Sequence, residues 1–159
     1  MEKPIISIVV PTSNCASELK KTLESLKKQE YIGFECVIVD GNSTDHTVIV
    51  AEEYKNKVNF SITISVEKDK GIYDAMNKAL PYVTGDWVHY LNSDDFYYDN
   101  KTLYNMSLFL AKTQKDIVAG NMFISSENKR TKLCRPSIIP RKLAMLFTCP
   151  FQQPATFVK

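Results

Sequence analysis

The chain has 159 residues, the size of one domain and long enough to bury a core without disulfides or structural metals. Hydrophobic residues make up 44% and charged residues 24%, close to the averages of soluble globular domains. The net charge of +2 argues against a nucleic-acid binder.

The first strand is expected over Ile5–Val10, a β-branched run that Pro11 should close. Leu19, Leu23 and Leu26 then recur at four and three residues, the spacing of an amphipathic helix. Phe34–Val39 reads as a second strand ending at Asp40. Gly41 to Asp45 is a polar turn, and Val48–Tyr54 continues as a helix. A third strand covers Phe60–Val66. A short helix follows Gly71, with Ile72, Ala75, Met76 and Ala79 on one face. Trp87–Leu91 is a fourth strand, ending at Asn92-Ser93-Asp94-Asp95. Leu103–Ala111 reads as a helix, and Asp116–Ser125 with Lys129–Leu133 as a hairpin around Glu127-Asn128. The basic residues Lys129, Arg130, Lys132 and Arg135 fit a solvated edge strand or turn. Pro140–Phe147 reads as a short helix with proline in its first turn.

Strand and helix alternate with short connections, which predicts an α/β fold with a mostly parallel sheet and helices on both faces. Continuous apolar strands fit a sheet covered on both sides. Residues 1–159 are expected to form a single domain. The closing Ala155-Thr156-Phe157-Val158-Lys159 resembles the start of an element more than a polar tail, which suggests a truncated chain.

Cys15, Cys36, Cys134 and Cys149 form no CxxC pair, which argues against zinc and for free thiols in a reducing cytoplasm. No signal-peptide pattern is present, and no run approaches the roughly 20 apolar residues of a spanning helix. The expectation is a cytoplasmic chain, with peripheral association at the inner face of the membrane left open.

Ligands of open parallel sheets bind beyond the carboxyl ends of the strands, near the point where strand order reverses. Three strand ends here are polar: Pro11-Thr12-Ser13-Asn14, Asp40 to Asp45, and Asn92 to Asp95. Asp94 and Asp95 are adjacent carboxylates whose repulsion a hard divalent cation would relieve while bridging to phosphate oxygens. The same Ser-Asp-Asp turn is also helix-cap or Asx-turn chemistry, so the pair alone leaves both readings open. Asp40 divides likewise between turn chemistry and a contact to a base or ribose, with Ser43 or Thr44 as caps for the next helix. Thr12 and Asn14 fit either a ligand contact or a cap for the first helix. In Glu67 to Asn77, Gly71 permits a close backbone approach, Lys68 and Lys70 are placed to steer a diphosphate, and Asp74 and Asn77 share a helix face. An exposed, capped helix start explains the same residues.

Together these segments resemble the family 2 glycosyltransferases, which have the GT-A fold. Residues 5 to 98 carry the similarity best. Val9 to Asn14 is similar to the family's opening strand and turn, which often has an aromatic where Ser13 stands. Val37 to Asp45 is similar to its second motif. Asp69-Lys70-Gly71-Ile72-Tyr73-Asp74-Ala75-Met76-Asn77 resembles a signature of a bacterial branch that makes surface polysaccharides. Gly85-Asp86-Trp87 and Tyr90 to Asp95 resemble its metal-site strand.

The resemblance implies a nucleotide-sugar site of Pro11, Thr12, Asn14, Asp40, Asp69, Lys70, Gly71, Asn92, Ser93 and Asp94. Thr12 and Asp40 would hold the base, usually uracil, and Asp69 would lie near the nucleoside. Asp94 would lie near the ribose or diphosphate, and Asp94 and Asp95 would form the Mn2+ or Mg2+ site, with Asp95 as the ligand. The implied reaction is inverting transfer of a sugar from a UDP-sugar to a hydroxyl of a saccharide or lipid-linked acceptor in cell-surface polysaccharide synthesis. The catalytic base stays unassigned: Gln152 stands where a histidine often precedes the second glutamine of Gln152-Gln153, and Glu127 is a carboxylate without further support. A donor-binding module without catalysis and a nucleotidyltransferase are the alternatives. A dinucleotide dehydrogenase is disfavoured because G-x-G-x-x-G is missing.

Overall fold

The computed structural model describes residues 5–126, 129–134 and 155–159. In chain order its elements are β1 (Ile6–Thr12), α1 (Ala16–Lys27), β2 (Phe34–Asp40), α2 (Thr47–Lys55), β3 (Ser61–Val66) and α3 (Ile72–Ala79). A 3-10 turn (Leu80–Tyr82) leads to β4 (Trp87–Tyr90), followed by α4 (Thr102–Leu110), β5 (Ile117–Ala119), β6 (Met122–Ser126), β7 (Lys129–Cys134) and β8 (Thr156–Val158).

The main sheet runs β3-β2-β1-β4-β8-β5. Its first four strands are parallel, and β8 is antiparallel to both β4 and β5. All residues of β1 and β2 are buried. Their side chains alternate between two apolar layers, as the two-residue period of a strand requires. Ile6, Ile8, Val10, Phe34, Cys36 and Ile38 pack with Leu19, Leu23 and Leu26 of α1 and with Ala51 and Tyr54 of α2. Val9, Val37 and Val39 pack with Ala75 and Ala79 of α3 on the other face. Each fully buried leucine of α1 contributes on the order of 1.5–3 kcal/mol.

The first strand extends past its expected end, because Pro11 lies inside β1, opposite Val39. Successive residues of β1 turn their polar groups to alternate neighbours. Thr12 O accepts from Gly41 N on the β2 side, and Val9 O accepts from Leu91 N on the β4 side. Pro11 therefore faces the β4 side, beyond the end of that ladder, where a missing N–H removes no bond.

The stretch expected as one strand over Asp116–Ser125 is split at Gly120. Gly120 N donates to Ala155 O at 2.7 Å. Strand β5 is thereby committed to β8 in the main sheet, and β6 turns away into a two-stranded ribbon with β7. That ribbon is the hairpin expected from the sequence, with a register irregularity between Ile124 and Ser126. The residues of 155–159 that resembled the start of an element supply β8. The helix expected over Pro140–Phe147 lies outside the described residues. Among the described residues, no helix is long and apolar enough to cross a membrane.

Candidate active site

Chain direction places β2 and β3 on one side of β1 and β4 on the other, so strand order reverses between β1 and β4. The carboxyl ends of these strands, where the order reverses, are the edge at which open parallel sheets bind ligands. The polar strand ends read from the sequence meet there.

Thr12 and Asp40 are register partners, and Thr12 Oγ1 donates to Asp40 Oδ2 at 2.8 Å. Asp40 is 1% exposed. Its Oδ1 accepts from Ser43 N at 2.7 Å, and its Oδ2 also accepts from Ser43 Oγ at 2.7 Å. Three of the roughly four acceptor positions of this carboxylate are therefore used. Asn14, at φ 46°, zips the first turn to the second. Its N–H donates to Ser43 Oγ at 2.8 Å, and its Oδ1 accepts from Thr44 N at 2.9 Å.

The cap of α2 falls elsewhere than expected. Neither Ser43 nor Thr44 caps it: the N-cap position is His46, without a side-chain cap bond, and Asp45 just before it accepts from Thr47 N at 3.0 Å through Oδ1. Asp45 Oδ2 also accepts from Ala16 N at the start of α1, at 3.2 Å. One carboxylate thus serves two helix starts, and these bonds, the Thr47 hydroxyl first, hold it below its ordinary pKa.

Asp69 comes to this edge from the far side. Its Oδ1 accepts from Gly71 N at 2.9 Å. A β-carbon added at Gly41 would stand 2.5 Å from Asp69 Oδ2, so any larger residue there would push the Asp69 carboxylate aside. Glu67 N donates to Asp40 O, which ties the same segment to β2. Gly71 has φ 125° and opens α3. Lys70 N donates to Asp74 Oδ2 at 3.0 Å, while Lys68 and Lys70 are exposed. Lys78 Nζ donates to Lys68 O at 2.6 Å and lies 3.3 Å from Asp74.

Asn92 to Asp95 form a turn directly beyond β4, in which Asp95 N donates to Asn92 O at 3.0 Å. No helix starts here, so the cap reading of the acidic pair gives way to a loop that presents it. Asp94 is exposed and Asp95 is half-buried. Burial, and then the Asp94 charge, push the Asp95 carboxyl above its ordinary pKa; a 3.0 Å bond from Asn92 Nδ2 to Asp95 Oδ2 opposes them. Asn92 Oδ1 is buried without a hydrogen-bond partner. A buried acceptor left unpaired is unfavourable by roughly 1–3 kcal/mol, and a bound cation or hydroxyl would relieve it.

Two carboxylates are too few for a protein-only cation cage, and no group of three or more metal-ligating side chains occurs among the described residues. Carboxylate oxygens with an unpaired amide oxygen beside them suit a hard cation whose remaining ligands are phosphate and water.

Several supporting residues escape a reading of the sequence. Thr22 Oγ1, in the apolar row of α1, lies 2.8 Å from both Ser93 O and Asp95 O. His89 of β4 is buried, with Nδ1 2.6 Å from Tyr97 Oη, and stacks on Phe157 at 4.2 Å between ring centres. The signal for Thr22 was a polar residue interrupting Leu19, Leu23 and Leu26. His89 gave none, since its partners come from other elements. Glu127 and Gln152 lie outside the described residues. A separate cavity of about 420 Å³ sits between α4 and β5, lined in part by Met106, Phe109 and Val118, away from the acidic pair.

The family model described as glycosyl transferase family 2 matches residues 7–150. The chain belongs to this family. A PGL/p-HBAD biosynthesis glycosyltransferase of Mycobacterium tuberculosis is 36% identical over 131 residues, which are 82% of this chain and 51% of that protein. The poly(ribitol-phosphate) beta-N-acetylglucosaminyltransferase TarS of Staphylococcus aureus is 33% identical over 118 residues, 73% of this chain and 20% of TarS. This chain spans about half the length of the mycobacterial relative. The crystal structure of TarS 1–349 superposes with a TM-score of 0.75 at 26% identity, covering 97% of this chain and 46% of that one. The TarS 1–349 complex with UDP-GlcNAc gives a TM-score of 0.63 at 32% identity, over 70% of this chain and 32% of that one. The fold is thus of the GT-A type, as the sequence motifs suggested. Family membership favours the transferase over the nucleotidyltransferase alternative.

Proposed function

We propose that the strand-end edge between β1 and β4 binds a nucleotide-sugar donor, a UDP-sugar, and that the complete protein transfers its sugar with inversion to a saccharide or lipid-linked acceptor in surface-glycan synthesis. The observation that carries this reading is the Asp94–Asp95 pair at the reversal of strand order, with the unpaired Asn92 Oδ1 buried beside it. UDP is favoured because the TarS structures, 32% identical, hold UDP-GlcNAc and UDP. Relatives named for PGL/p-HBAD biosynthesis and for N-acetylglucosaminyl transfer to poly(ribitol-phosphate) support the surface-glycan assignment.

In this reading Pro11, Thr12 and Asn14 form one wall of the base pocket and Asp40 its floor. Three acceptor positions of Asp40 are taken, which leaves one lone pair on Oδ1 for the base. Asp69 and the backbone of Lys70 and Gly71 face the nucleoside, and the Lys70 ammonium steers the diphosphate. Asn92, Ser93 and Asp94 line the ribose and diphosphate. Asp95, with Asp94, would hold Mn2+ or Mg2+, which when bound offsets the negative charge gathering on the departing diphosphate.

Calorimetric titration of UDP with and without Mn2+ tests this. Metal should tighten UDP binding by about tenfold or more, and Asp95→Asn should remove that gain. Undetectable UDP binding in Mn2+, or a gain unchanged by Asp95→Asn, refutes the site. The second reading, a donor-binding module without catalysis, fits a base that is still unassigned. UDP release from a UDP-sugar by this chain decides against it.

A further inference from the structure

The segment from Ser93 to Lys101 carries the acidic pair yet contains no helix or strand. Its backbone groups need partners from elsewhere, and α1 supplies them through one polar row. Thr22 Oγ1 reaches Ser93 O and Asp95 O. Ser25 Oγ accepts from Tyr97 N at 3.4 Å. Gln29, just past the helix, donates from Nε2 to Asp99 O at 2.7 Å and accepts from Leu103 N at 3.0 Å. Residues 22, 25 and 29 succeed one another along one side of the helix, so α1 acts as a mould for the segment.

We infer that Thr22 is a positioning residue for the Asp94–Asp95 pair, holding from the opposite side of the loop the carboxylates that the proposed donor site uses for its cation. Thr22 is fully buried. Its hydroxyl lies 2.8 Å from each of two carbonyl oxygens, Ser93 O and Asp95 O, which bracket the acidic pair, and 3.4 Å from Glu18 O of its own helix. The hydroxyl therefore anchors the peptide unit before Asp94 and the one after Asp95, bracketing the acidic pair. On the other side, Asn92 Nδ2 fixes Asp95 Oδ2. The two bonds together set where the carboxylates point.

A cation tolerates little error in such a pair, on the order of 0.5 Å. Without the hydroxyl, two partly buried carbonyls lose this donor, and turning them toward water to regain hydrogen bonds swings Asp94 and Asp95 with them. Ser25 and Gln29 meet the segment further along, at Tyr97, Asp99 and Leu103. They hold the chain without aiming the acids.

This inference rests on the donor site proposed above, and one experiment separates the two. UDP binding is titrated against Mn2+ concentration for the wild type, Thr22→Val, Thr22→Ser and Gln29→Met, with thermal unfolding measured for each. Thr22→Val keeps the side-chain shape and should raise the Mn2+ concentration for half-maximal enhancement by about tenfold, leaving metal-free UDP affinity unchanged. Thr22→Ser should restore the wild-type requirement. Gln29→Met should lower the unfolding midpoint while leaving the Mn2+ requirement at the wild-type value. A folded Thr22→Val with wild-type Mn2+ dependence overturns the role of Thr22 alone, as does equal loss in Thr22→Ser. If Thr22→Val does not fold, Thr22→Ala provides the same comparison with less crowding. Failure of the wild type to bind UDP with Mn2+ overturns the donor site and this role together.

Discussion

At the residue scale the decisive group is Asp95. Its folded-state pKa is raised by burial first and by Asp94 second. An acid raised on folding binds its proton over a pH range in which the unfolded chain has released it. Stability is therefore lost as pH rises from the ordinary carboxylate pKa through the raised one, and the ionised site stays less stable above it. A cation reverses the balance, because it binds the ionised form. Mn2+ enhancement of UDP binding should accordingly fade on acidification at a pH above that at which an ordinary aspartate protonates. Asn92→Ala removes the hydrogen bond that lowers this pKa and should move the midpoint to higher pH. Titrations in a buffer series from about pH 4 to 7 check both points, bracketing the usual carboxylate range from above. A midpoint that ignores Asn92 counts against this account.

Gly41 gives a second prediction at this scale. Gly41→Ala would bring a β-carbon to 2.5 Å from Asp69 Oδ2, displacing the carboxylate from Gly71 N. UDP affinity should fall about tenfold or more in the proposed site, with little loss of stability, because the crowded atom is the end of a partly exposed side chain that can swing away. Calorimetry and chemical denaturation separate these effects. Thr12, Asp40, Asp94 and Asp95 could be picked out from the sequence because each follows a β-branched or apolar run that ends in a turn. The companions of Asp40 were half legible. The sequence marks Ser43 only as a candidate cap, and the fold shows both its N–H and its hydroxyl turned toward Asp40.

At the element scale, legibility followed the range of the interactions. α1 and α3 are announced by local periodicity and β1 and β2 by continuous apolar runs, since each is buried through its own near neighbours. The split between β5 and β6 is decided by Ala155, 35 residues after Gly120, whose carbonyl takes the Gly120 N–H and leaves β6 to pair with β7. No pattern inside 116–125 encodes that partner. Pro11 illustrates the same limit. Its place in β1 depends on β4 ending short of it, a fact about another strand. Thr22, Ser25 and Gln29 are the intermediate case: their spacing is visible in the sequence, while the segment they hold lies about 70 residues away.

At the scale of the whole molecule, the two edges of the sheet do different work. The amino ends of β1 and β2 are joined by a buried network in which Ser7 Oγ donates to Glu35 Oε1 at 2.5 Å and Thr84 N donates to the same oxygen at 2.6 Å. Gly85 packs so tightly there that an added β-carbon would lie 2.8 Å from Ser7 N. The carboxyl ends carry the proposed donor site. Gly85→Ala should therefore lower stability by roughly 1–3 kcal/mol through backbone crowding, while the site at the opposite edge keeps its affinity. Ligand that binds only the folded chain at about 100 times its Kd adds about 2.7 kcal/mol. For a chain of this length that raises the unfolding midpoint by roughly 5–10 °C. The rise on adding UDP and Mn2+ should be the same in the wild type and in Gly85→Ala, although the two start from different midpoints. Asp95→Asn should show the reverse: a midpoint near or above the wild type without ligand, since a neutral amide avoids burying a charge, and little added rise from Mn2+. Thermal scans of the three proteins with and without UDP and Mn2+ measure every term. If Gly85→Ala loses the ligand-induced rise in proportion to its stability, the two edges are coupled, and the division of labour argued from the Ser7–Glu35–Gly85 network fails.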